Sequence, residues 1–515
     1  MKVAFLQSEN ENLAVEYLSA VIKEAGHQVV LGYDHRYFDR TAIGVPRLAR
    51  LLDAREMLAS SIAACAPDLV CFSVMTSDYQ WALDMAARLK RLADVPVLFG
   101  GVHAVSVPEV VIAEEQVDMV CDGEGERVLP LLLEKLGAFP EVDVPGVWVK
   151  SEGEVRRRPP ADLVSDLDSL PFPDKEIFYR QLPWLRHGYL MISGRGCPYA
   201  CTFCGNDVLR RAYKGRGRYV RRRSVASVIE EIVRAYSMYR PSRFNILDDC
   251  FTADKEWLAD FSEQYRARVA APFICLSHPQ LIDDDVGRML AEAGCFQLLL
   301  GIQSASEATR REVLNRPETN ERIIEAAAVC HRYGIRFSID HIFGIPGEGP
   351  REYREALGFY SGLRPSIVNT YWLIYFPRTK IVETALREGL VSPEDLPLME
   401  RGLFDTSMNV GLGRGDAGGG TPYRNYAFLY GLIPLMPARL LGRLAERLDY
   451  LERLRPPLSF AAATRMLAAL RIGVWKIYRE QVFGILAGFA RSAVAVGRFR
   501  LLRERRPQTI SFTDE

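Results

Sequence analysis

Between residues 1 and about 140, short apolar runs at 3–6, 28–31, 69–74, 97–99 and 119–121 alternate with amphipathic stretches at 13–25, 81–92 and 126–136. Runs this short and this apolar predict buried strands, and the 3.6-residue spacing between them predicts helices. Strands alternating with helices imply a parallel, doubly wound sheet of the flavodoxin-like kind. Its ligands should lie beyond the carboxyl ends of the strands. Those ends carry FSVMTSD (72–78), FGGVHA (99–104) and CDGEGE (121–126), whose glycines let backbone approach a large ligand. From 141 to 185 the pattern lapses, and VRRRPPADLVSDLDSLPFPD, proline-rich and polar, reads as a connector between two domains.

A second series runs from 186 to 390, with strands predicted at 189–193, 244–247, 273–277, 296–301, 335–343 and 368–373. Between them RSVASVIEEIVRAYSMY places Val225, Val228, Ile229, Ile232, Val233 and Tyr236 on one helical stripe, with Ser224 as N-cap. Six strand–helix units predict a partial (β/α)6 barrel with its chemistry at the carboxyl ends of the strands. Polar residues collect there: Asp248, Asp249, Ser277, His278, Gln303, Ser304, Asp340 and His341. From 391 to 515 the pattern predicts a mostly helical region. A glycine-rich loop at 411–420 opens into it, and 15 Lys+Arg stand against five Asp+Glu between 438 and 506.

The chain has 515 residues, 65 Lys+Arg against 65 Asp+Glu, 48% hydrophobic and 25% charged residues. That composition belongs to a folded globular protein. Its neutral balance argues against a nucleic-acid binder, which would carry a basic excess. No charge-free run exceeds 14 residues, short of the roughly 20 apolar residues of a membrane-spanning helix. The opening MKVAFLQSENENLAVEY reads as a buried strand followed by a polar turn, and lacks the apolar core of a signal peptide. These features predict a cytoplasmic protein whose basic C-terminal region offers, at most, peripheral contact with a membrane surface.

Three of the ten cysteines, Cys197, Cys201 and Cys204, fall within eight residues directly after the first strand of the second series. Their Cys-x3-Cys-x2-Cys spacing points to a cluster of iron and sulfur, normally held by thiolates. Three thiolates would leave one iron open to a ligand. Structural zinc needs four ligands, and the nearest additional candidates, His187 and Cys250, are not close in sequence. Cys65, Cys71, Cys275, Cys295 and Cys330 sit in apolar contexts and read as small buried hydrophobes.

The loop GRGCPYACTFCGN (194–206) resembles the radical S-adenosylmethionine (SAM) superfamily, whose signature is matched by Cys197, Cys201, Phe203 and Cys204. The resemblance implies a 4Fe–4S cluster that binds SAM at its open iron and cleaves it to a 5′-deoxyadenosyl radical. It implies that Phe203 packs near the adenine, that Asp248 or Asp249 meets the SAM amino group, and that Gln303 and Ser304 meet its methionine and ribose. Many relatives carry an acidic residue where Gln303 stands. The stretches PDLVCFSVMTSDYQWALDMAARLK, VPVLFGGVHA and VDMVCDGEGERVLPLLLE resemble the cobalamin-binding domain that precedes many radical SAM domains. That likeness implies a cobalamin cradled by Ser73, Thr76, Gly100, Gly101, Gly123, Glu124 and Gly125, with His103 as a polar contact. No Asp-x-His-x-x-Gly motif supplies a cobalt ligand.

Together the resemblances cover about residues 1–390 and imply a C-methyltransferase that works through methylcobalamin. A cobalamin-dependent oxidoreductase or cyclase is the rival, and a non-enzymatic corrinoid carrier a more distant one. Asp249, Cys250, His278 and His341 are the candidate catalytic residues. The expected partners are a small-molecule or lipid-like substrate and an electron donor such as flavodoxin or ferredoxin.

Overall fold

A computed structural model describes residues 1–36, 46–269, 271–403, 420–447 and 494–496. The glycine-rich stretch at 411–420 and the basic segment at 438–506 lie almost wholly outside the described residues. Among the described residues, no helix is long and apolar enough to cross a membrane.

The first sheet holds β1 (Lys2–Ser8), β2 (Gln28–Asp34), β3 (Leu69–Ser73), β4 (Val97–Gly100), β5 (Met119–Cys121), β6 (Val147–Ser151) and β7 (Glu154–Arg156). Their spatial order is β2-β1-β3-β4-β5-β6-β7. The first five run parallel, as in flavodoxin-like folds, and the order reverses between β1 and β3. Alternate residues of β1 enter opposite cores, with Val3 and Phe5 on one face and Ala4 and Leu6 on the other, all buried. Burial on both faces explains the unbroken apolar runs.

β6 and β7 extend this sheet past residue 140, as an antiparallel pair on β5. They fall in the stretch expected to be connector. The two residues between them, Glu152 and Gly153, have φ of 51° and 84°, the signature of a tight two-residue hairpin turn.

The second sheet joins β8 (Gly188–Met191), β11 (Arg243–Ile246), β12 (Phe273–Ser277), β13 (Cys295–Gln303), β14 (Arg336–Phe343) and β15 (Ile367–Trp372) in strict sequence order. All neighbours are parallel, so the sheet is a six-stranded partial barrel. Two short strands, β9 (Gly194–Arg195) and β10 (Arg221–Arg222), pair antiparallel beyond the carboxyl end of β8 and frame the cysteine loop. Helices cover the outer face; that of Val225–Tyr239 is capped by the Ser224 hydroxyl, which accepts from the Ser227 amide at 3.1 Å.

The helix Gly420–Leu432 packs on the barrel's outer side, where Tyr426 and Tyr430 are buried. One continuous apolar core runs from β1 and β3 through the barrel to this helix, so the two sheets share their packing.

Candidate active site

The carboxyl ends of the two sheets face one cavity of about 420 Å³, within the usual range for ligand pockets. From the first sheet come Phe5, Ser73, Gly100, Gly101 and Gly123, at the point where strand order reverses. From the barrel side come Gly194, Gly196, Asn206, Tyr219, Leu247 and Asp249. Gly101, at φ 92°, allows close backbone packing: a Cβ there would lie 2.7 Å from the Val74 nitrogen. With glycines at the ends of β4 and β5 and Ser73 at the end of β3, the first sheet presents mainly backbone to the cavity, a surface suited to a large planar ligand.

The cysteine loop is held on all sides. The Arg210 guanidinium donates to the carbonyls of Cys197 and, at 2.8 Å, Tyr199. Thr202 donates from its amide to Leu314 O at 3.1 Å and from its hydroxyl to Val313 O at 2.7 Å. Asn315 Nδ2 donates to Ala200 O at 2.8 Å. Cys204 then N-caps the helix Gly205–Ala212. Gly196 is required where it stands, since with φ 83° a Cβ would lie 2.5 Å from Tyr219 O.

Two of the three thiols already receive a donor. Asn206 Nδ2 donates to Cys204 Sγ at 3.8 Å, and Arg316 Nη1 donates to Cys201 Sγ at 3.6 Å. Burial pushes the Cys197 thiol up to about 12, a cost that metal coordination overrides by deprotonating the thiol outright. Among the described residues no three His, Cys, Asp or Glu side chains converge on a single-ion site. In a cluster each thiolate binds a different iron, so the three sulfurs need not converge on one point. Sulfur donors met by N–H groups fit that group.

The expected site residues divide into those at the cavity and those turned away. Ser73, Gly100, Gly101, Gly123, Glu124, Gly125 and Asp249 line it. Asp249 is raised by burial, which a hydrogen bond from Asn206 partly offsets. Thr76 and His103 do not reach it. The His103 ring is fully buried, with Nδ1 3.0 Å from Thr76 Oγ1 and its face 4.2 Å from Tyr79. Both residues brace the turn after β3.

Glu124 lines the cavity, but its carboxylate is engaged elsewhere. It accepts from Arg195 at 3.0 Å, from Arg221 at 2.8 Å with each oxygen, and from the Val164 amide at 2.7 Å. Arg195 also pairs with Glu126 at 2.5 Å. Burial raises the Glu124 carboxyl, but the guanidiniums outweigh it and hold the group below its usual range. This is a clasp between the first sheet and the strands framing the cysteine loop.

Within the barrel, Asp248 accepts from the Ser193 amide at 2.6 Å and from the Ser193 hydroxyl. It ties the ends of β8 and β11 together, and Asp249 is left as the one of the pair that faces the cavity. Phe203 packs on the apolar group of Leu314, Ile345, Leu373 and Ile381. Gln303 takes φ 70° at an irregularity in the β13–β14 register. Ser304 is fully buried, donates to Glu348 and caps the Ser306 amide. It stabilises the turn after β13.

Of the candidate catalytic residues Asp249 lines the cavity, and Cys250, His278 and His341 stand away from it. Cys250 is buried and its carbonyl accepts from Arg222 at 3.3 Å. His278 lies with Nε2 3.1 Å from Glu318 Oε2 and stacks on Tyr199 at 4.0 Å. His341 points out of the barrel into an aromatic box of Phe343, Tyr353, Tyr360 and Tyr430, with Nδ1 2.9 Å from Tyr360 Oη. It stands one residue after Asp340, and strand alternation sends it to the opposite face.

Residues the sequence did not single out complete the site. Asn206 bridges Cys204, Asp249 and Tyr219, whose hydroxyl donates to Asn206 Oδ1 at 2.6 Å. Its place two residues after the last cysteine was the available signal. Arg195, Arg221, Arg316 and Glu318 carried none, being ordinary charges scattered along 124 positions.

A partial barrel with three cysteines at its mouth, facing a flavodoxin-like sheet across one cavity, defines a two-cofactor radical enzyme architecture. Residues 191–360 match the radical SAM superfamily and residues 3–133 match the B12 binding domain. The chain therefore carries a cobalamin-binding domain followed by a radical SAM domain, the pair that brings a 4Fe–4S cluster, SAM and cobalamin together.

The uncharacterized methyltransferase PH0819 of Pyrococcus horikoshii is 27% identical over 390 residues, covering 74% of this chain and 79% of the relative. The anaerobic magnesium-protoporphyrin IX monomethyl ester cyclase of Cereibacter sphaeroides is 23% identical, covering 70% and 58%. The radical SAM methyltransferase TsrM from Kitasatospora setae, solved with cobalamin and a [4Fe-4S] cluster, shares the fold at TM-score 0.61 and 17% identity, covering 76% of both chains.

Proposed function

We propose that this protein is a cobalamin-dependent radical SAM C-methyltransferase acting on an unactivated carbon of a small or lipid-like molecule. The observation that carries the reading is the single cavity shared by Ser73, Gly100, Gly101 and Gly123 with Gly194, Gly196, Asn206 and Asp249. A methyl carrier and a radical source can serve one substrate carbon only if they open on the same space. Cys197, Cys201 and Cys204 would hold the cluster, and the glycine-rich strand ends would hold the corrin. When bound, these groups supply one-electron cleavage of SAM and carriage of a methyl group.

The protein's own part is orientation and exclusion of water. The Glu124 clasp fixes the distance between the two halves, and the Asp248–Ser193 bonds fix the end of β8 that leads into the cysteine loop. Asp249 is the carboxylate that the barrel presents to the cavity, and it would meet an amine or hydroxyl of SAM or substrate. A one-electron donor protein of the flavodoxin or ferredoxin class would dock from a cytoplasmic pool.

The test is product arithmetic on the loaded enzyme. A methyltransferase of this kind consumes two SAM per turnover, so S-adenosylhomocysteine and 5′-deoxyadenosine should appear in about equal amounts, with label from methyl-labelled SAM in the product. The cyclase relative favours a second reading, ring formation without methylation. That reading gives 5′-deoxyadenosine without matching S-adenosylhomocysteine and no label in product.

A further inference from the structure

Behind the cysteine loop lies a buried network centred on Arg316 and Glu318, which the sequence did not single out. Arg316 is held by two partners at once: Nε donates to Glu318 Oε1 at 2.7 Å, and Nη2 donates to the carbonyl of Gly301. So fixed, it directs Nη1 at Cys201 Sγ, 3.6 Å away. Arg316 and Glu318 are both nearly inaccessible to solvent, at 6% and 1% exposure. The other oxygen of Glu318 lies 3.1 Å from His278 Nε2, and the His278 ring stacks on Tyr199, inside the cysteine loop. His278 Nδ1 accepts from the Gln280 amide at 3.2 Å, which fixes the ring's orientation.

From this geometry we infer that Arg316 is a positioning residue that sets the reduction potential of the cluster, with Glu318 moderating its charge. The inference rests on Cys201 being a cluster ligand. Reduction adds one electron, delivered by an external one-electron donor, to a cluster whose thiolates already leave it negative. A permanently charged guanidinium beside one of those thiolates stabilises the reduced form more than the oxidised form. Its N–H···S bond also strengthens as the sulfur gains charge. Hydrogen bonds to sulfur, net charge and solvent exposure are the levers that set such potentials. Solvent is excluded here, so the charge is screened much less than it would be at the surface. Lysine could not replace it, because only a planar fork can meet Glu318, Gly301 and Cys201 together.

The experiment measures iron content and cluster midpoint potential on the full chain, reconstituted anaerobically and titrated by electron paramagnetic resonance. Arg316→Met should keep about four irons per chain and shift the midpoint to more negative values. Glu318→Gln, which removes the neighbouring negative charge, should shift it the opposite way. Arg316→Lys should fall between wild type and Arg316→Met. Unchanged potentials in cluster-loaded Arg316→Met and Glu318→Gln would overturn the inference. If Arg316→Met loses iron, the positive shift of Glu318→Gln still carries it. Loss of iron from both variants would make the network a loop support alone and overturn the tuning role. Failure of the cluster assignment itself reads differently: Cys201→Ala would then retain the wild-type iron content.

Discussion

His103 and His341 show how burial decides what a titratable residue can do. Both rings are buried, and desolvation lowers them, to about 4 for His103 and about 3 for His341. In the unfolded chain each returns to about 6.5. The unfolded state therefore binds more protons between those values, and stability is full above pH 6.5 and falls as the pH drops. From pH 7 to 5 each ring should cost about 1–2 kcal/mol. Urea unfolding across that range checks this. His341→Phe should reduce the loss, and an unchanged slope would show that the ring is not buried as described. Asp249 behaves differently because it faces the cavity, so Asp249→Asn should weaken SAM binding and leave stability nearly intact. Equilibrium dialysis with SAM, alongside a melting curve, separates the two effects.

At the scale of elements, the end of β4 depends on one glycine whose place a side chain would have to force open. Gly101 combines φ 92° with a Cβ position 2.7 Å from Val74 N and 2.8 Å from Val74 O. Gly101→Ala should cost about 1–3 kcal/mol and weaken hydroxocobalamin retention, because the β4 end must shift. Gly153 offers the control, having φ 84° with open space around it. Gly153→Ala should cost less and leave cobalamin retention unchanged on gel filtration. Equal retention by both variants would contradict the placement of the corrin at β4.

The whole molecule is held in register by the Glu124–Arg195–Arg221 clasp and the shared core. Removing one partner of a buried ion pair strands the others, at a cost of about 3–5 kcal/mol. Glu124→Gln should lower the melting temperature and split calorimetric unfolding into two steps, as the cobalamin-binding sheet separates from the barrel. It should also lower the yield of methylated product per 5′-deoxyadenosine formed. A single transition at the wild-type temperature would show that the apolar interface alone holds the halves together.

Much of this was legible along the chain. Apolar runs set by burial on both faces mark the strands whatever surrounds them, and the order of strands and helices then fixes both parallel sheets. Cys197, Cys201 and Cys204 lie within one loop, so their spacing carries the cluster directly. The hairpin β6–β7 was hidden because it is short and broken by four charges in ten residues, and because its pairing with β5 is made across the sheet. Tertiary structure alone decided which polar strand ends face the cavity. His341 and Asp340 are neighbours in sequence but project to opposite faces, and His103 is drawn into its own domain by Thr76 and Tyr79. It alone also brought Glu124 to Arg221 and Arg316 to Cys201, across 97 and 115 residues. A charge gives no sign in sequence of the partner it will meet, because that partner is chosen by packing.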